Sequence, residues 1–265
     1  MRQIVDLRKQ KPELKVLLSI GGWGSGRFSE MAANDEYRRA FAADCDRVVK
    51  EFALDGIDID WEYPTSSMAN ISSSPDDTEN FTLLMQDIRA AIGNEKELTL
   101  ATVASARYID FKAILPSVDF VNIMAYDMAS APKHHSALYP SGHSGDITSD
   151  GAVTAHLKAG VPPSKLVMGM PFYGRGGDGY PSFQDYNKVG NTDTQYTEKW
   201  DEVAQVPYLA DKNDTLVFGF ENPRSLAIKC QYILDKDLLG GMYWDYSGDN
   251  EHCLLYTSPS PRDQR

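Results

Sequence analysis

The sequence predicts an α/β fold in which short strands alternate with helices. Three observations predict it. Six short runs of apolar and β-branched residues recur along the chain, each followed by a helical pattern or a loop. The chain has 265 residues, 42% of them hydrophobic, enough for one large domain with a sizeable core. One run, Asp55 to Pro64, alternates acids with large apolar residues, the pattern of a strand whose two faces do different things.

Residues 3–11 read as a helix ending at Pro12. Lys15 to Ile20 is a strand closed by Gly21-Gly22-Trp23, where the glycines permit a sharp turn or a close approach. From Phe28 to Phe52, Met31, Tyr37, Phe41, Val48 and Phe52 fall at near-helical spacing, giving one or two amphipathic helices. A polar loop spans 65–74. Ser74-Pro75-Asp76-Asp77 opens a helix with a Ser cap, Pro at the first position and acids in the first turn, and that helix runs to Ile92 before Gly93. Leu98 to Val103 is a strand, Phe111 to Leu115 a short helix, and Phe120 to Asp127 a strand on which Asn122, Met124 and Tyr126 share a face.

The stretch 129–145 is a long Gly/Ser/Pro loop. It carries His134, His135 and His143, whose spacing fits no metal signature, and a solvated loop is expected. Residues 148–159 are helical. Leu166 to Arg175 gives a strand and the loop at its end. Residues 176–214 leave strict alternation, and 217–220 form a further strand. Asn222-Pro223 opens a helix through Leu234, and Gly240 to Tyr246 is the last strand. Residues 253–265 show no apolar periodicity.

Lys plus Arg number 26 and Asp plus Glu 38, a formal net charge of −12. So acidic a chain disfavours nucleic acid or an anionic membrane as a partner, but not a neutral polymer. No apolar run approaches the roughly 20 residues that span a bilayer. Three cysteines, Cys45, Cys230 and Cys253, are too few for a disulfide framework, and the first two are expected to be buried or idle thiols.

On the strand from Asp55 to Pro64, Asp58, Asp60 and Glu62 share one face and Ile57, Ile59 and Trp61 the other. Neighbouring acids start roughly 6–7 Å apart, so at least one carboxyl should titrate high. That arrangement suits a proton donor beside a fixed negative charge. Two other readings are a solvated sheet edge and a carboxylate site for Mg²⁺ or Ca²⁺.

The spacing Asp-x-x-Asp-x-Asp-x-Glu, here Asp55, Asp58, Asp60 and Glu62, resembles the signature of family 18 glycoside hydrolases, and Trp61-Glu62-Tyr63-Pro64 resembles its chitinase branch. Ser19-Ile20-Gly21-Gly22 and Met124-Ala125-Tyr126-Asp127 resemble strand motifs of the same family. The resemblance implies a (β/α)₈ barrel, here without its first two strands, over residues 1–252, with a small α+β insertion at about 176–220 before the last strand. The tail 253–265 resembles translated adapter sequence and is expected not to be native. Secretion and a monomeric state are also expected.

The resemblance further implies hydrolysis of β-1,4-linked N-acetylglucosamine in chitin or chitooligosaccharides, with retention and with help from the substrate's own acetamido group. Glu62 is then the proton donor, with Asp60, Asp58 and Tyr126 as its catalytic partners and Asp55 structural. Substrate contacts fall to Ser19, Trp23, Tyr63, Met124, Asp127, Tyr173, Arg175 and Trp244. For Trp23, Tyr126 and Trp244 the competing role is core packing; for Ser19 a backbone cap, for Asp127 a turn cap, and for Arg175 a structural ion pair. No metal or organic cofactor is required. The rival functions are an endo-β-N-acetylglucosaminidase acting on N-glycans and a non-catalytic chitin-binding relative.

Overall fold

The computed structural model describes residues 1–177, 181, 183–185, 188, 196–249 and 254. The chain divides into two compact units, 1–121 with 159–161, and 122–158 with 162–265.

The first unit opens with a short helix, α1 (Arg2–Val5), and a 3₁₀ turn over Asp6–Lys9, in place of the single helix the sequence predicts to Pro12. Its strands are β1 (Leu17–Gly21), β2 (Gly56–Asp60) and β3 (Glu97–Val103). They pair in parallel in that order, with Ser19 opposite Asp58 and Asp58 opposite Thr99. β2 therefore has a neighbour on both sides, which removes the sheet-edge reading of the acid strand.

The predicted helical stretch is two helices, α2 (Phe28–Ala32) and α3 (Asp35–Phe52). Asn34 caps α3 by accepting from the amides of Glu36 and Tyr37, and the helix ends where Ala53 turns left-handed. Its buried Ala42, Cys45 and Val49 lie on one face, packed on α4 (Asp77–Ile92). Arg38 crosses between the two helices, donating to Asp87 of α4 and to the Ala32 carbonyl. α4 starts at Asp77, so Ser74 does not cap it as the sequence predicts; the Asp77 side chain turns back to receive the Ser74 amide. A short α5 (Phe111–Ile114) completes the unit. The core is built from Ile57, Ile59 and Trp61, Leu98 and Leu100 of β3, and Phe81, Leu84, Met85 and Ile88 of α4, all buried.

β4 (Phe120–Met124) leads into the second unit. There α6 (Ser149–Lys158) and β5 (Leu166–Pro171) follow, and β5 is buried along its whole length. The run 166–175 is two strands: Phe172 breaks it, and β6 (Tyr173–Gly176) joins a different sheet. That sheet is antiparallel, with β7 (Gln184–Asp185), β8 (Thr197–Asp201), β9 (Val206–Ala210) and β10 (Leu216–Gly219) in the order β7-β6-β10-β9-β8. It fills the place of the insertion predicted before the last strand, with Leu209, Phe218 and Phe220 as its apolar centre.

Asn222 and Ser225 form a reciprocal capping box at the start of α7 (Pro223–Asp235), with Pro223 in the first turn. β11 (Gly240–Trp244) then pairs in parallel with β5. Lys229 of α7 and Glu221 form a fully buried ion pair. Ser136 closes it: its carbonyl accepts from Lys229 at 2.6 Å and its hydroxyl donates to Glu221 at 2.6 Å.

The loop 129–145 is solvated at His143 but not at its other two histidines. His134 and His135 are buried. The His134 ring sits edge-on to Tyr208, with Nε2 3.1 Å from Asp201 Oδ2, which also accepts from Ser141 Oγ at 2.8 Å. Burial holds the His134 imidazole down at about 4, so it is neutral at physiological pH. Cys45 is a buried free thiol that burial pushes up to about 12. Of the tail 253–265 only Leu254 is among the described residues; it is buried and its amide donates to Asp249.

Candidate active site

In the first unit the acids lie as alternation requires. Ile57 and Ile59 are buried, and Asp58 and Asp60 on the opposite face are partly exposed. β2 ends at Asp60, so Trp61, Glu62 and Tyr63 stand beyond the strand's C-terminal end rather than on it. Asp55, at the other end, accepts the Val16 amide at 2.6 Å and pairs with Arg8 at 2.6 Å, tying it to the scaffold.

Asp58 is held from both neighbouring strands. Ser19 Oγ of β1 donates to Oδ2 at 2.7 Å, and Thr99 Oγ1 of β3 donates to Oδ1 at 2.6 Å. Ser19 thus supports the acid cluster rather than capping backbone. Thr99 is not visible as a site residue from the sequence, because the register that sets it opposite Asp58 is not written in either strand.

Asp60 titrates high. Burial first, then the charges of Glu62 and Asp58, push it up from 3.8 to about 7. Its Oδ1 is buried without a hydrogen-bond partner among the described residues. The close approach of β1 is made possible by Gly21: its φ is +129°, and a Cβ there would stand 1.9 Å from the Asp60 carbonyl oxygen.

Trp61 is buried between rings, stacked on Phe28 at 5.4 Å and edge-on to Phe81 at 5.6 Å. Trp23, by contrast, is 60% exposed, which excludes core packing, and stands edge-on to Tyr63 at 6.4 Å. Tyr63 stacks on Tyr108 at 5.6 Å, a ring that no sequence motif singles out.

In the second unit Met124 ends β4, and Tyr126 and Asp127 follow it. Tyr126 packs closely over Gly169, where a Cβ would lie 2.8 Å from its ring, and edge-on to Tyr173 at 6.2 Å. Arg175 makes a two-pronged contact with Asp127, Nε to Oδ1 at 2.6 Å and Nη2 to Oδ2 at 2.5 Å. His135 faces the same carboxylate, with Nδ1 3.4 Å from Oδ1, beyond good hydrogen-bond length. Burial alone would raise the Asp127 carboxyl, but His135 and Arg175 outweigh it and hold the group far below the usual carboxylate range. Burial drives the Tyr173 hydroxyl well above its ordinary value, so it stays a neutral phenol. Trp244, at the end of β11, is 54% exposed and is not a core residue.

Among the described residues no group of three or more His, Cys, Asp or Glu side chains is placed to hold a metal ion, and no helix is long and apolar enough to cross a membrane.

The first unit thus carries a parallel strand flanked on both sides, with acids at its C-terminal end and Asp60 titrating near neutrality. A family model described as glycosyl hydrolases family 18 matches residues 1–249. Chitinase A1 of Niallia circulans is 34% identical over 96% of this chain and 43% of its own, and an endochitinase of Manduca sexta is 30% identical over 99% and 58%. The chain thus spans about half the length of these relatives. Among solved structures, a family 18 N-acetylglucosaminidase from Paenibacillus barengoltzii matches with a TM-score of 0.90 at 33% identity, over 97% of this chain and 85% of that one. A group IV chitinase of Ostrinia furnacalis in complex with allosamidin matches with a TM-score of 0.87 at 29% identity, over 97% and 81%. The chain belongs to glycoside hydrolase family 18. Its fold is α/β of the (β/α)₈ type.

Proposed function

We propose that the chain hydrolyses β-1,4-linked N-acetylglucosamine in chitin or chitooligosaccharides. The observation that carries this reading is the carboxyl ladder: Asp58 fixed by two hydroxyls, Asp60 raised to about 7 between two charges, and Glu62 beyond the strand end.

In this mechanism Glu62 gives its proton to the glycosidic oxygen as the bond to the anomeric carbon breaks. The substrate's acetamido oxygen attacks that carbon from the opposite side and forms a cyclic oxazolinium ion. Glu62, now a carboxylate, takes a proton from water, which opens the ring with retention overall. Asp58 is held by hydroxyls on both oxygens, and Asp60, raised to about 7, carries a proton below neutrality. Asp60 steadies the acetamido nitrogen as positive charge develops. Tyr126 orients the acetamido oxygen, and Asp127, Tyr173 and Arg175 contact the sugar as a preorganised set. Trp23, Tyr63 and Trp244 offer ring faces to sugars. A polymer too large to enter a cell fits an extracytoplasmic site of action.

The test is Glu62→Gln with chitooligosaccharide as substrate. Turnover should fall by about 10²–10⁴-fold while oligosaccharide binding persists. Retention of full activity overturns the reading. Because one similar structure is described as an N-acetylglucosaminidase, the product needs identification. Release of single N-acetylglucosamine units, rather than the disaccharide, would move the assignment to that activity.

A further inference from the structure

We propose that Asp77 is a positioning residue for Glu62, holding the loop onto which Glu62 opens. This rests on the reading of Glu62 as general acid.

Asp77 is fully buried, and both of its oxygens are engaged away from its own helix. Oδ1 accepts from Ser29 Oγ at 2.7 Å. Oδ2 accepts two backbone amides, Thr65 at 3.1 Å and Ser74 at 2.7 Å. These are the first and last residues of the polar loop 65–74, so a single carboxylate oxygen closes that loop. Charge-assisted bonds from three donors make such burial tenable. A carboxylate in the first helical turn ordinarily complements the helix's own free amides; this one is spent on the chain leaving the acid strand.

The same two helices grip the chain before Glu62. Phe28 of α2 stacks on Trp61, and its neighbour Ser29 bonds Asp77. Phe81 of α4 meets Trp61 edge-on, and Asp77 lies one turn earlier on that helix. Glu62 is therefore suspended between Trp61, fixed by two rings, and Thr65, fixed by the Asp77 carboxylate. Between them Pro64 is buried, and Thr65 takes a left-handed backbone with φ of +60°. A chain pinned this closely on both sides of the acid leaves its carboxyl little freedom, which is what a proton transfer over hydrogen-bond distance requires.

The experiment compares two substrates of the full chain. A chitooligosaccharide needs its leaving oxygen protonated, whereas a dinitrophenyl N-acetylglucosamine glycoside does not. In Asp77→Ala neither loop amide keeps its acceptor. Its kcat on the oligosaccharide should fall by about 10²-fold, with KM within about twofold, and its kcat on the dinitrophenyl glycoside by less than about fivefold. An equal loss on both substrates, or no loss on either, overturns the proposal. Ser29→Ala, which frees only Oδ1, should show the same discrimination at about tenfold or less, and serves if Asp77→Ala does not fold; equal losses there overturn the proposal too. Glu62→Gln is run on the same pair. Failure of that variant to discriminate sinks the acid assignment itself, whereas discrimination by it alone sinks only the role of Asp77.

Discussion

Arg175 lays Nε and Nη2 on the two oxygens of Asp127, so two side chains expected to touch substrate are first committed to each other. The planar guanidinium meets the carboxylate with two parallel bonds, a geometry that an ammonium cannot reproduce. Arg175→Lys should therefore keep the charge but lose much of the contact. Both groups are about one-third exposed, so solvent screens the pair, and Arg175→Ala should cost about 1–2 kcal/mol. Urea unfolding of both variants checks this. A lysine variant as stable as the parent would mean that the two-pronged geometry contributes nothing.

The aspartate pair sets a pH limb. With Asp60 at about 7, kcat/KM should decline as pH rises through neutrality and the shared proton is lost. Asp58 is one of the charges that raise Asp60, so Asp58→Asn should move this limb to lower pH. A pH–rate profile of the two proteins decides it; a limb that stays in place or moves to higher pH contradicts the assignment.

Stability should carry the mark of the same group. A carboxyl whose folded pKa lies above its unfolded value contributes stability in its protonated form, fully present below the unfolded value of 3.8 and lost as pH rises through about 7. The loss amounts to at most about 4 kcal/mol. Asp60→Asn removes the titration, so its melting temperature relative to the parent should rise between pH 4 and pH 8. Melting curves with the same offset at both pH values would refute this.

Trp23 is mostly exposed and stands edge-on to Tyr63. Trp23→Ala should leave the melting temperature nearly unchanged and raise KM for long chitooligosaccharides by roughly 2–10-fold, the worth of one aromatic contact. A large drop in melting temperature with unchanged KM would assign the ring to structure instead.

The strand and its faces were legible because alternation is a local property. Ile57 and Ile59 against Asp58 and Asp60 needed nothing but period two. Alternation extends that strand to Glu62, yet Glu62 lies past its end, since no residue between 55 and 64 announces where pairing stops. Thr99, Tyr108 and Asp77 escaped notice for a different reason: each matters through a partner at least thirty residues away, or through a carboxylate bent back on its own loop. His134 and His135 show the limit of composition. A stretch rich in Gly, Ser and Pro reads as solvated, but Asp201 and Tyr208, far along the chain, bury His134, and Asp127 and Tyr173 lie against His135. The single run from 166 to 175 likewise hid a change of sheet at Phe172.

The pair of Lys229 and Glu221, sealed by Ser136, has a consequence for anyone building variant libraries of this chain. Removing either charge alone strands the other in the interior at a cost of about 3–5 kcal/mol, whereas exchanging both for apolar residues of similar volume can be neutral or better. Libraries that vary one site at a time will score both positions as immutable. Only joint randomisation can reach the uncharged solutions.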